Sequence, residues 1–269
     1  MKDELDLYHR LISIKIRAQM QYRWSFLLDL FATALVSGVS FLSIALVLQT
    51  FEGIGGWSLW EVAFLYGSVE AAFGVMDMLF GGFDPPNFGN HVRLGTFDQM
   101  LLKPANIYIQ VLGSEFVLRR LGRILQASII FGLALANLEI AWTPFKVLYL
   151  PVMFISMVAF FAGLFIIGSG ITFWTVESIE VVNIFTYGGT EMMSYPMHIF
   201  PDWLRGFFTY IIPAIFLNYY PALYFLGKPD PYGMPPVAPF IAPLVGGGFL
   251  AVGLAFWRFG LTNYQSTGT

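Results

Sequence analysis

The sequence predicts an all-α polytopic membrane protein. It should have six transmembrane helices, an amphipathic helix ahead of them and a re-entrant helical hairpin before the last span. Three observations carry this reading. The 269 residues are 57% hydrophobic and 12% charged, where soluble domains average about 25% charged, and the mean hydropathy is +0.68. Apolar runs of about 20 residues, the length that crosses a bilayer core, recur along the chain. Prolines then cut residues 196–238 into segments too short to cross.

Residues 1–24 form an N-terminal amphipathic interfacial helix in this reading. Leu5, Tyr8, Ile12 and Ile16 share one face, while Asp6, Arg10 and Arg17 point away, the pattern of a helix lying in the membrane interface. Residues 25–269 make a single transmembrane domain with spans at about 25–48, 59–80, 117–138, 147–173, 179–195 and 239–258. The first apolar run is too long for a signal peptide and stays as a span. The third is apolar only from Ile124, because Arg119, Arg120 and Arg123 precede it. The fifth is short and polar, with Glu180, Asn183, Gly188 and Gly189.

Basic residues set the orientation. Six spans place Lys2, Arg10, Lys15, Arg17, Arg23, Arg93, Lys103, Arg119, Arg120, Arg123 and Arg258 on one side, eleven of the fourteen Lys and Arg. Lys146, Arg205 and Lys228 fall on the other. The positive-inside rule makes the first side, with both termini, cytoplasmic. Pro196, Pro201, Pro213 and Pro221 interrupt the stretch before the last span. An external re-entrant hairpin over 201–226 satisfies the rule that irregular backbone at membrane depth lies against protein or water. A true span at 206–226 would instead move the C-terminus outside.

Arg93–Ala105, RLGTFDQMLLKPA, is a polar-then-apolar unit between the long apolar runs. Thr96 and Gln99 have the spacing of a capping box. Asp98 suits the positive end of a helix dipole, and Pro104 stops the helix. The spacing predicts a short helix over 97–103 with Phe97 and Leu101 on one face. So short a helix needs a supporting surface, and the expected surface is outside this polypeptide.

Catalytic signals are lacking, so no catalytic residue is assigned. Gly227-Lys228 precedes Pro229 and is no P-loop. There is no cysteine, and His9, His91 and His198 show no metal-ligand spacing, so no metal site is expected. No basic block points to nucleic acid. Gly168-Ser169-Gly170 and Gly246-Gly247-Gly248 suit close helix packing. Charge inside a span defaults to a functional reading, which makes Asp29, Glu70 and Asp77 translocation-path candidates, Glu70 being the most central. Glu115 and Arg119, one turn apart, are expected to form a structural ion pair.

Taken together, these features resemble an ABC-2-type ABC transporter permease over nearly the whole chain. Gly95-Thr96-Phe97-Asp98-Gln99-Met100-Leu101-Leu102-Lys103-Pro104 is similar to that group's G-x-[LF]-D-x-x-L-x-[KR]-P segment. Tyr195-Pro196, Phe200-Pro201-Asp202-Trp203-Leu204 and Ile212-Pro213 resemble its P…P-x-W-L…P hairpin. The ending Asn263-Tyr264-Gln265-Ser266-Thr267-Gly268 is similar to the Y-x-S-x-G tail of bacterial members. The resemblance implies a bacterial plasma (inner) membrane permease paired with a second permease copy or sister permease. A separate ATP-binding-cassette ATPase would hold the ATP and Mg, leaving this chain without a cofactor. Thr96, Phe97, Asp98, Gln99, Leu101, Lys103 and Pro104 would form the coupling helix seated in the ATPase. Pro196, Pro201, Trp203 and Pro213 would shape the re-entrant hairpin. The substrate would be a small hydrophobic or amphipathic molecule moved outward among membrane lipids. Two other functions fit less of the chain: a carrier driven by protons through Glu70 or Asp77, and a non-transporting membrane scaffold.

Overall fold

The computed structural model describes residues 2–50, 53–175 and 181–266. Twelve α-helices account for most of them, joined by short 3₁₀ and π turns. Helix α1 (Lys2–Met20) is separated by a turn at Gln21–Tyr22 from α2 (Arg23–Thr50). Helix α3 (Leu59–Leu79) opens on a capping box, in which the Ser58 N–H donates to Glu61 Oε2 at 2.7 Å. Three short helices follow: α4 (Pro85–Arg93), α5 (Thr96–Leu101) and α6 (Ile107–Leu112). Then come α7 (Arg120–Asn137), α8 (Pro144–Thr175) and α9 (Val181–Met193). Helices α10 (Asp202–Gly206), α11 (Tyr219–Leu226) and α12 (Ala242–Asn263) complete the chain.

Four of these, α2, α3, α8 and α12, are long and apolar enough to cross a membrane. Helix α7 starts three residues later than the expected third span, because 113–119 is irregular, and it carries Arg120 and Arg123 within its 18 residues. The described part of the expected fifth span, α9, has 13 residues, a rise of about 20 Å. Residues 179 and 180 of that span lie outside the described residues, as do Thr267 and Gly268 of the tail.

Helix α3 lies at the centre, buried along most of its length. It meets α7 closely at Gly67, where an added Cβ would stand 2.7 Å from the Phe131 backbone nitrogen. Helices α8 and α12 approach just as tightly. Ser156, Gly163 and Gly170 of α8 face Gly246, Gly253 and Gly260 of α12, each series spaced by seven residues. A Cβ on Gly246 would sit 2.2 Å from the Ser156 carbonyl oxygen, and one on Gly253 would sit 2.7 Å from that of Gly163. Small residues at a seven-residue repeat let two backbones pack in contact over several turns. Gly247 and Gly248 face open space and take no part.

By contrast, α2 is exposed along most of its surface. Four of its hydroxyls bond back into the helix: Thr33 donates to the Asp29 carbonyl, Ser40 to Val36, Ser43 to Val39 and Thr50 to Leu46. Between α9 and α12 the chain follows its prolines. Pro201 precedes α10, a π turn spans Phe207–Ile211, and the helix breaks at Ile212–Pro213. Gly227, at φ +66°, ends α11 in the left-handed conformation.

Candidate functional site

The end of the bundle that carries α4, α5 and α6 holds the first site. Helix α5 covers Thr96–Leu101, two residues shorter than expected at its end and one longer at its start. Gly95, at φ +65°, occupies the N-cap position, so the expected capping box of Thr96 and Gln99 does not form. The Thr96 hydroxyl turns back onto α4, donating to the His91 carbonyl at 3.2 Å and lying 2.9 Å from His91 Nδ1. Burial holds the His91 imidazole below its usual pKa. Gln110 of α6 brackets the turn after α5, its amide donating to the Met100 and Ala105 carbonyls.

Phe97 is a correction. The sequence presents it as an outward anchor, yet it is 0% exposed. Its ring meets Phe88 of α4 at 5.2 Å, Phe173 of α8 at 5.5 Å, Trp257 of α12 at 6.3 Å and Tyr264 of the tail at 5.2 Å between centroids. The chain therefore buries the inner face of α5 itself. What remains outside is an apolar pad made by Leu94 (65% exposed), Leu101 (42%) and Leu102 (86%). Arg93, Gln99, Lys103 and Pro104 are exposed beside it. Asp98 sits in the first turn and accepts a hydrogen bond from Ser266 Oγ at 2.6 Å. The Tyr264 hydroxyl is pushed up to about 12 by burial and by the Asp98 carboxylate.

Glu115 and Arg119 do not form the expected pair. The i,i+4 rule holds only on a helix, and 113–119 lies between α6 and α7. Glu115 instead meets Lys15 of α1 at 3.4 Å. Gln19 fastens α1 to the same segment, donating to the Phe116 carbonyl at 2.6 Å and accepting from the Leu118 N–H at 3.0 Å. Asp29 and Arg119 line a cleft of about 520 Å³ beside this brace, with Lys15 and Glu115.

The second site lies midway along α2 and α3. Glu70 accepts side-on from Nε and Nη2 of Arg123, at 2.5 and 2.8 Å, and the Arg123 guanidinium rests 4.6 Å over the Phe73 ring. About two turns further along α3, Asp77 meets Arg120 Nε at 2.7 Å. Charges buried this deeply persist when each is paired. These pairs explain why α7 opens with arginines: they neutralise the carboxylates of α3. Glu70, Arg120 and Arg123 line a cleft of about 450 Å³ together with Thr33, Ser37, Ser40, Tyr66, Tyr187 and Glu191. The Tyr66 hydroxyl donates to the Ser37 carbonyl at 2.8 Å. Glu191 stands exposed at the rim, with no ion pair among the described residues. Of the three path candidates, Glu70 reaches this cleft, Asp77 is buried behind it, and Asp29 lines the other one.

At the opposite end, α11 and its flanking turns cap the bundle. Buried Asn218 ties three elements together: its amide donates to the Leu65 and Met193 carbonyls, and its Oδ1 accepts from Ser68. Lys228 bridges Glu61 at 3.1 Å and the Gly56 carbonyl at 2.9 Å. Lys146 donates to the Phe225 carbonyl at 3.0 Å. Trp203 is exposed, while Pro196 and Pro213 each precede a 3₁₀ turn. Asn218 and Glu191 escape sequence reasoning. A lone Asn between Pro213 and Pro221 is the visible signal for the first, and a carboxylate on the expected fifth span for the second. Among the described residues no cluster of side chains could hold a metal ion.

A family model described as ABC-2 family transporter protein matches residues 34–268. No curated protein and no solved structure matches the chain.

Proposed function

The chain belongs to the ABC-2 family of transporter proteins, and from that premise we propose that it is the permease subunit of an ATP-driven exporter. The observation that carries this reading is the pad of Leu94, Leu101 and Leu102. Three leucines stand outward on a short, internally braced segment flanked by Arg93 and Lys103. Apolar anchors on a helical surface are what a partner groove receives. The recipient is a separate ATP-binding-cassette ATPase, which supplies the ATP and Mg. Two permeases and two ATPases make the working unit in a bacterial plasma membrane.

In this arrangement α2, α3, α7, α8, α9 and α12 are the six spans, with both termini cytoplasmic. Residues 201–226 dip in from outside and complete the short α9, against which Phe207 stacks on Phe185 at 6.0 Å. The cleft holding Glu70, Tyr66 and Glu191 supplies the path for a small amphipathic substrate. Its wall carries Glu70, Arg120 and Arg123, charges that hydrocarbon could not solvate. A second permease copy closes it. The proton-driven alternative needs a free carboxylate at Glu70 or Asp77, and both are held by arginine.

Co-purification tests the reading. With the ATPase co-expressed, the wild-type chain should retain it in stoichiometric amount. Leu101→Ala with Leu102→Ala should release it, since anchors at a docking centre contribute about 2 kcal/mol or more each. Unchanged retention would remove the pad from the interface.

A further inference from the structure

We propose that the C-terminal tail and the aromatic box around Phe97 form a fixed joint that passes the motion of α5 to α8 and α12 together. The proposal rests on the reading of α5 as the docking helix. A helix of six residues holds no shape by itself, so its orientation comes from what grips it. The rings around Phe97 belong to α4, α8, α12 and the tail. Those rings also touch one another: Phe173 lies 5.4 Å from Trp257 and 5.5 Å from Tyr264. Asp98, the neighbour of Phe97, is held by Ser266 on the other side of the tail.

Two physical properties turn this box into a joint. Close-packed interiors resist compression, so a displaced Phe97 pushes its neighbours without sinking among them. Phe173 and Trp257 sit on the two helices whose backbones touch through Gly163, Gly246 and Gly253. Neither helix can be pushed without carrying the other. Tyr264 and Ser266 close the box from the solvent side. Without them α5 can rock about Phe97, and the push dissipates.

The chain has no cysteine, so introduced cysteines give unique spin-label positions. Labels at the exposed residues Leu133 of α7 and Leu254 of α12 measure the ATP-dependent separation of these helices in the reconstituted permease–ATPase complex. Tyr264→Ala with Ser266→Ala should keep the ATPase bound and lower the ATP-driven population shift by roughly 2- to 30-fold, the range for changes along a coupling chain. Tyr264→Phe keeps the ring and should behave as wild type. Ser266→Ala alone, at an exposed position, should lower the shift in the same direction and serves if the double variant misfolds. A tail variant that binds the ATPase and moves α12 as fully as wild type overturns the joint. A wild-type chain that retains no ATPase overturns the docking reading, and the joint with it.

Discussion

Phe97→Ala separates an internal brace from an external anchor, because the two roles predict opposite outcomes. The ring is wholly buried among Phe88, Phe173, Trp257 and Tyr264. Truncation removes its buried apolar area and leaves a cavity walled by four rings that cannot all collapse inward. Such Phe→Ala changes cost about 3–5 kcal/mol. At about 2–4 °C per kcal/mol for a chain of this size, the melting midpoint in detergent should fall by roughly 6–20 °C. Leu102→Ala, whose side chain faces solvent, should change stability by no more than about 0.5 kcal/mol. The assay is thermal unfolding of the purified permease, run beside ATPase co-purification. Phe97→Ala should melt early, while Leu102→Ala should melt normally and bind its ATPase poorly. If Phe97→Ala melts as wild type and releases the ATPase, the ring points outward in the working protein and the brace is wrong.

Further outcomes follow from the buried charges and the bundle's ends. Glu70→Gln strands Arg123 in mid-span and should destabilise by about 3–5 kcal/mol, with Arg123→Gln restoring part of the loss in the double variant; melting of the three variants checks this. Burial, reinforced by the charge of Asp77, pushes the Asp84 carboxyl up to about 7. Its folded pKa lies above the unfolded value, so the contribution of Asp84 to stability should be fully present below about pH 4 and be lost as the pH rises through 7. Asp84→Asn should remove that component from a pH series of melting curves. Cysteines placed at Asp202 and Lys228 should both react with an impermeant thiol reagent from outside the cell, and labelling from opposite sides would make 201–226 a true span.

The long apolar runs were legible because length and hydropathy are properties of contiguous sequence. The breaks at Pro201 and Pro213 were legible for the same reason, since proline acts locally. Phe97 was not. Its partners Phe173, Trp257 and Tyr264 lie far along the chain, and no local pattern shows what will face an apolar side chain. Glu115 and Arg119 misled because their spacing has meaning only on a helix, and the loop after α6 denies them one. The arginines of α7 were visible as an obstacle to a third span. Only the packing of α7 against Gly67 of α3 shows that Arg120 and Arg123 are there to meet Asp77 and Glu70.

The proposed function stands or falls with a separate ATPase seated on the pad of Leu94, Leu101 and Leu102. The most direct measurement is a photo-crosslinking amino acid at position 102, activated in native membranes, with the adduct identified by mass spectrometry. The expected result is a covalent adduct to an ATP-binding-cassette subunit, lost when the crosslinker is moved to exposed Val252 of α12. An adduct confined to lipid, or none with any nucleotide-binding protein, would contradict it.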